Sequence, residues 1–169
     1  MTDILFVFGT RPDIIKCMPV VEALQERGIV PRCVLTGQHQ ELLAGTPLDR
    51  ARYVTPLSLK SDGNVMRWLR RAETELARVL RLDKPCVVVV QGDTMSSYAG
   101  ARTAAHLGMV VAHIEAGVRS HDMREPWPEE QLRTEIDALA TWHYAPTEDA
   151  ANNLAREGVN RQTTLVTGN

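Results

Sequence analysis

The sequence has 169 residues, of which 44% are hydrophobic and 24% charged, with a net charge of −2. That length suits one domain with a sizeable core, and the near-neutral balance gives no footing to nucleic acid or a membrane surface as a bulk partner. No apolar run is long enough to span a bilayer, and Met1 leads into a strand-like run without a basic segment, so no signal peptide is expected.

In chain order, Asp3 to Phe8 reads as a buried strand closed by Gly9. A helix is expected from Pro12 to Arg27, with Pro12 suited to a first turn and Pro19 expected to kink it. Val30 to Thr36 is a second strand, and Gly37-Gln38-His39 opens a loop. Tyr53 to Leu57 is a short strand that Pro56 confines to an edge. Asn64 to Leu80 has helical periodicity, with Val65, Trp68, Leu69, Leu76 and Leu80 on one side. Cys86 to Val90 is a strand buried on both faces, and Met95 to Leu107 a small-residue helix suited to close packing. Val110 to Glu115 is the next strand, which places Val111, His113 and Glu115 on one face. Helix (Glu129–Ala140), strand (Trp142–Ala145), helix (Glu148–Glu157) and strand (Thr164–Thr167) complete the chain.

Strands alternate with helices, and the strands are continuous apolar runs. This pattern predicts an α/β fold, a doubly wound and mainly parallel sheet with helices on both faces, in one Rossmann-like domain over residues 1–169. The glycine fingerprint of dinucleotide binding is missing after the first strand, which weakens a reading as a NAD enzyme, and there is no Walker A motif and no zinc-protease helix. Cys17, Cys33 and Cys86 have neither metal-ligand nor disulfide spacing. They are expected as small buried thiols in a reducing cytoplasm.

Ligands of open parallel sheets bind beyond the carboxyl ends of the strands. Three such ends carry polar groups: Gly9-Thr-Arg-Pro with Lys16, Gln91-Gly-Asp-Thr, and His113, Glu115, Gly117 and Arg119. The first is either a plain strand-to-helix turn or an anion site built from helix N–H groups, Arg11 and Lys16. Asp93 reads first as a cap of the following helix, and His113 as a satisfied, half-buried histidine. Glu129 and Arg133 have salt-bridge spacing. Glu115 is harder to dismiss, because a carboxylate ending an apolar strand needs a partner or a function. Carboxylates converging beside cationic groups point to acid/base chemistry on a phosphorylated substrate.

Seven short motifs then stand in register. They are Phe8-Gly-Thr-Arg-Pro-Asp-Ile-Ile-Lys16, Thr36-Gly-Gln-His39, Val90-Gln-Gly-Asp-Thr94, His113-Ile-Glu-Ala-Gly-Val-Arg119, Pro126-Trp-Pro-Glu-Glu130, Ala145-Pro-Thr147 and Val166-Thr-Gly-Asn169. In order and spacing they resemble UDP-N-acetylglucosamine 2-epimerases over almost the whole chain. The resemblance implies the N-terminal half of a GT-B-like enzyme, with no metal and no nicotinamide or other cofactor. In that family a proton leaves C2 of the sugar, UDP leaves C1, and both return with C2 inverted; a second branch hydrolyses the intermediate to N-acetylmannosamine and UDP. Carried over by motif, Asp93, Glu115 and Glu129 become the acid/base candidates. Arg11, Lys16, Gln38, His39, Arg119 and Arg133 become candidates for binding the UDP-sugar or orienting those carboxylates.

Two departures stand out: Asp13 where the family usually has Glu, and Gln131-Leu132 where it usually has Gly-Asn. The resemblance also implies a second domain after Asn169 that holds most of the UDP site. The expected partner is therefore a separate C-terminal half, as in a split enzyme, or a further copy in a homo-oligomer. The alternatives are an excised N-terminal domain and a non-catalytic nucleotide-sugar or partner-binding module.

Overall fold

A computed structural model describes residues 4–37, 48, 54–60, 62–122, 124 and 127–168. Its strands are β1 (Ile4–Phe8), β2 (Arg32–Leu35), β3 (Val54–Pro56), β4 (Val87–Gln91), β5 (Val110–Ile114), β6 (Trp142–Ala145) and β7 (Thr164–Val166). The helices between them are α1 (Arg11–Glu26), α2 (Val65–Asp83), α3 (Met95–His106), α4 (Glu129–Leu139) and α5 (Glu148–Arg156). The strands form one sheet in the order β3-β2-β1-β4-β5-β6-β7. Every pairing is parallel. The chain winds outward from β1 to β3, then returns to lay β4 on the other side of β1. The crevice between the carboxyl ends of β1 and β4 is therefore the topological switch point.

Continuous apolar strands arise because both faces are covered. Leu5, Val7, Val88 and Val90 point to one face, where they pack with residues of α2, α3 and α4 such as Leu76, Ala101 and Ile136. Phe6, Phe8 and Val89, of the opposite parity, pack with Ile14, Cys17 and Val21 of α1. A smaller cluster joins Ala116 and Ala145 to Leu154 of α5. The α1 face is not fully covered. Val20 and Leu24 of α1 and Ile4, Val87, Ile114 and Tyr144 of the sheet line an open apolar groove of about 380 Å³.

Local signals explain the helix boundaries. Thr10 caps α1 and forms a reciprocal capping box with Asp13, and the helix runs on through Pro19 without ending. The hydroxyl of Thr94, not Asp93, caps α3 by accepting from the Ser97 N–H. Gly100 lets α3 approach the sheet closely, since a Cβ there would lie 3.1 Å from both Val7 Cβ and Val90 Cγ1. β3 pairs only with β2 and so sits at the sheet edge, where Pro56 is tolerated. Among the described residues no helix is long and apolar enough to cross a membrane.

Three expectations are corrected. Val65 is 57% exposed, because Ala72 instead completes the buried stripe of α2 with Trp68, Leu69, Leu76 and Leu80. β5 ends at Ile114, so Glu115 is not held to the strand's alternation. Cys86 is exposed, since it precedes β4 and escapes the buried ladder, whereas Cys17 and Cys33 are buried. Burial pushes the thiols of Cys17 and Cys33 up to about 12. A disulfide reagent at neutral pH is accordingly expected to titrate Cys86 at once. Cys17 and Cys33 should react only on unfolding, because the thiolate is the nucleophile; absorbance of the released thiol against time checks this.

Candidate active site

A cleft of about 250 Å³ opens at the switch point. Thr10, Asp13 and Lys16 line it from the β1–α1 side, Gln91 to Thr94 from the end of β4, Glu115 from the end of β5, and Arg133 from α4. Four elements that are distant in sequence thus deliver polar side chains to one place.

Glu115 is put there by its backbone. Its φ is +70°, the left-handed region that non-glycine residues rarely enter. Holding a residue there costs on the order of 1–2 kcal/mol, and such outliers gather at functional sites. The turn swings the carboxylate across the end of β4. Its two oxygens lie 3.0 and 2.8 Å from Lys16 Nζ, and Gln91 Nε2 donates to Oε2. Gly92 is required by its backbone, with φ at +63°, while a Cβ on it would meet Glu115 Oε2 only in ordinary contact at 3.5 Å. The second cleft carboxylate, Asp93, is ion-paired with Arg133. Each carboxylate therefore has its own cation, and both pairs stay part-exposed, with side-chain exposures of 41% and 22% for Lys16 and Glu115, and 21% and 22% for Arg133 and Asp93.

Asp13, the first departure noted in the sequence, is buried under the cleft floor. Its carboxylate accepts from the Gly9 and Thr10 N–H groups at 3.0 Å and from the Thr10 hydroxyl at 2.6 Å. Burial raises its pKa, with these hydrogen bonds opposing. The shorter side chain still closes the capping box of α1.

Behind the cleft lies a buried polar network that the sequence did not single out. Asp137 accepts from Arg119 Nη2 at 2.7 Å and from the Gly117 N–H at 3.1 Å, and its other oxygen faces His113 Nδ1 at 2.6 Å. Burial works to raise its pKa, but His113 and Arg119 outweigh it and hold the carboxyl below the ordinary range. Glu130 is also buried and accepts from the N–H groups of Ser120 and His121 at 2.9 and 3.1 Å. Burial again opposes, and these hydrogen bonds win, so its carboxyl too is held low. Glu130, Arg133 and Asp137 are spaced three and four apart along α4, one continuous helical face. That spacing was the available signal.

The expected site residues thus separate. Lys16, Asp93, Glu115 and Arg133 meet in the cleft. Glu129 is the first residue of α4, and one buried carboxylate oxygen of it has no hydrogen-bond partner among the described residues. Arg133 turns to Asp93 and Glu130 instead of Glu129. Arg119 has a side chain only 3% exposed, committed to Asp137 and Glu157. Arg11 is exposed at the start of α1. Gln38 and His39 lie outside the described residues. His113 is satisfied, as expected, but fully buried. Among the described residues no three His, Cys, Asp or Glu side chains are grouped to hold a metal ion.

Gly117 closes the turn beyond Glu115 with φ +76°, and a Cβ there would lie 2.2 Å from the Ala150 carbonyl oxygen. Neither the dihedral nor the α5 backbone can yield cheaply. Gly117→Ala is expected to destabilise the fold by about 2 kcal/mol or more, read as a lowered urea midpoint.

A family model of UDP-N-acetylglucosamine 2-epimerase matches residues 22–169. The UDP-N-acetylglucosamine 2-epimerase of Neisseria meningitidis is 37% identical over 174 residues, covering 98% of this chain and 45% of that protein. The crystal structure of UDP-GlcNAc 2-epimerase from Neisseria meningitidis bound to UDP-GlcNAc superposes with a TM-score of 0.90 at 37% identity, over 98% of this chain and 46% of the other. The Methanocaldococcus jannaschii UDP-GlcNAc 2-epimerase in complex with UDP-GlcNAc and UDP gives a TM-score of 0.87 at 38% identity, again over 98% of this chain and 46% of the other. The chain spans about half the length of these relatives.

Proposed function

The chain belongs to the UDP-N-acetylglucosamine 2-epimerase family, and on that premise we propose that it supplies the acid/base half of a UDP-sugar cleft. The observation that carries this reading is Glu115, a carboxylate held in left-handed backbone geometry and delivered beside Asp93, Lys16 and Arg133.

Inverting C2 requires a base that takes the proton from one face and an acid that returns it to the other. Asp93 and Glu115 supply two carboxylates on separate turns, each adjustable through its own cation. Expelling a diphosphate from C1 requires positive charge near the leaving group. Lys16 and Arg133 are part-exposed cations at the cleft, and an incoming diphosphate competes for them with their present partners. Glu129, whose carboxylate oxygen lacks a hydrogen-bond partner among the described residues, is the third acid/base candidate. Arg11, Gln38, His39 and Arg119 remain candidates for binding the UDP-sugar or orienting the carboxylates. No cofactor takes part in this scheme, because the proton and the diphosphate both return to the sugar.

The cleft is open on one side, and relatives carry about as much chain again. The complementary half closes the cleft and contributes most of the nucleotide contacts, and an apolar element of it covers the bare groove over Val20, Ile114 and Tyr144. The test supplies a relative's C-terminal half as a separate chain with UDP-GlcNAc in heavy water. Proton NMR follows loss of the sugar C2–H signal. Exchange that needs both chains is the expected result. A mixture that shows neither exchange nor UDP-GlcNAc binding would overturn the proposal.

A further inference from the structure

His113 is fully buried, and each of its ring nitrogens faces an oxygen. Nδ1 lies 2.6 Å from Asp137 Oδ1, and Nε2 lies 2.9 Å from the Gly92 carbonyl oxygen. A carbonyl oxygen only accepts, and so does an ionised carboxylate. A neutral imidazole carries one N–H and one bare nitrogen, so in that form one contact would oppose two lone pairs in a dry interior. The pair escapes this in two ways: the ring carries both protons, or the proton sits on Asp137 and is donated to Nδ1. The second way is disfavoured, because Asp137 also accepts from Arg119 Nη2 and from the Gly117 N–H. The guanidinium and the backbone N–H both donate to the same carboxylate, and such donors favour its ionised form over the neutral acid.

We propose that His113 is a standing imidazolium, a positioning residue that ties the turns carrying Asp93 and Glu115 to α4. Through Nε2 it grips Gly92, the residue between Gln91 and Asp93. Through Nδ1 it grips Asp137, which in turn holds the Gly117 N–H two residues beyond Glu115. The surroundings balance its charge. Asp137 comes from α4, Arg119 approaches Asp137 from the loop after β5, and Glu157 covers Arg119 from the end of α5. Two cations and two carboxylates thus alternate. His143, opposite His113 in the β5–β6 register, is the built-in contrast. Its Nε2 lies 2.9 Å from the Asp137 carbonyl oxygen, and its buried Nδ1 has no hydrogen-bond partner among the described residues, so a single proton on Nε2 serves the ring's one contact.

Long-range nitrogen–proton NMR correlation of the ¹⁵N-labelled chain tests the protonation. His113 is expected to show two protonated ring nitrogens at neutral pH, and His143 one protonated and one bare. The exposed His106 and His121 provide reference signals in the same spectrum. A bare nitrogen on His113 at neutral pH would overturn the imidazolium. The positioning role rests on the epimerase reading and is tested separately by His113→Gln in the two-chain exchange assay. Loss of about 10²-fold in turnover with little change in KM is expected, since misplacing reacting groups by about 1 Å costs that much. If Gln does not fold, His113→Asn takes its place. A folded variant with wild-type turnover would sink the positioning role and leave the protonation result standing.

Discussion

In the two-chain enzyme, Glu115→Gln and Asp93→Asn should each slow exchange of the sugar C2 proton by about 10²–10⁴-fold, the span covered by a positioned general acid or base. Both substitutions keep the size of the side chain and remove its ability to take a proton. Glu115 carries the sharper prediction, because its φ of +70° and its contacts with Lys16 and Gln91 determine where the carboxylate points. Gln keeps an oxygen for Lys16, so binding of UDP-GlcNAc should survive better than turnover. A fall in kcat with a nearly unchanged KM is the signature of a group used only in the transition state. Asp93→Asn also frees Arg133 from its ion pair, so a change in KM should accompany the fall in turnover. Unchanged exchange in both variants would remove these carboxylates from the acid/base roles.

Asp137→Ala should be the most damaging substitution outside the cleft, with an expected loss of about 3–5 kcal/mol in folding stability, the usual consequence of breaking a buried ion pair by removing one partner. The side chain is about 1% exposed and serves three donors, so His113 and the Gly117 N–H would lose this acceptor and Arg119 would keep only Glu157 as a carboxylate partner. The same residue sets the acid limit of the fold. Its carboxyl is held below the ordinary range in the folded chain and returns to about 3.9 when unfolded. The folded state therefore binds fewer protons. Its contribution is complete above that unfolded value and is lost as pH falls through the lowered folded value. Glu130 acts with the same sign. Urea midpoints should thus fall steeply only in strong acid, and Asp137→Asn should flatten that fall while lowering stability at neutral pH. A variant that keeps the wild-type acid limb would show that Asp137 is not the group responsible.

The strands and helices were legible because both depend on local patterning. Runs such as Val87–Gln91, apolar throughout but for the terminal glutamine, announce a strand covered on two faces, whereas the cap of α3 was misjudged, Asp93 standing next to the true cap Thr94. The cleft membership of Lys16, Asp93, Glu115 and Arg133 was also within reach, since each stands at or just beyond a strand end or on the first turns of the following helix. The orientation of Glu115 was not. Extending β5 by one residue placed it on the face of His113, and only the left-handed turn shows that it points elsewhere. The partners of Arg119 and Arg133 were equally hidden, because an arginine reaches several carboxylates and sequence spacing favoured the wrong one for Arg133.

By itself the sequence determined the α/β class, the element order and the family, and it offered the carboxylate candidates, because hydrophobic period and motif spacing are written along the chain. Tertiary structure decided how those carboxylates are aimed and held. The strand order that opens the crevice between β1 and β4, the pairing of each carboxylate with its cation, and the burial of Asp137 between His113 and Arg119 all join residues far apart in the chain. Such contacts are set by sheet topology and desolvation, neither of which leaves a local trace.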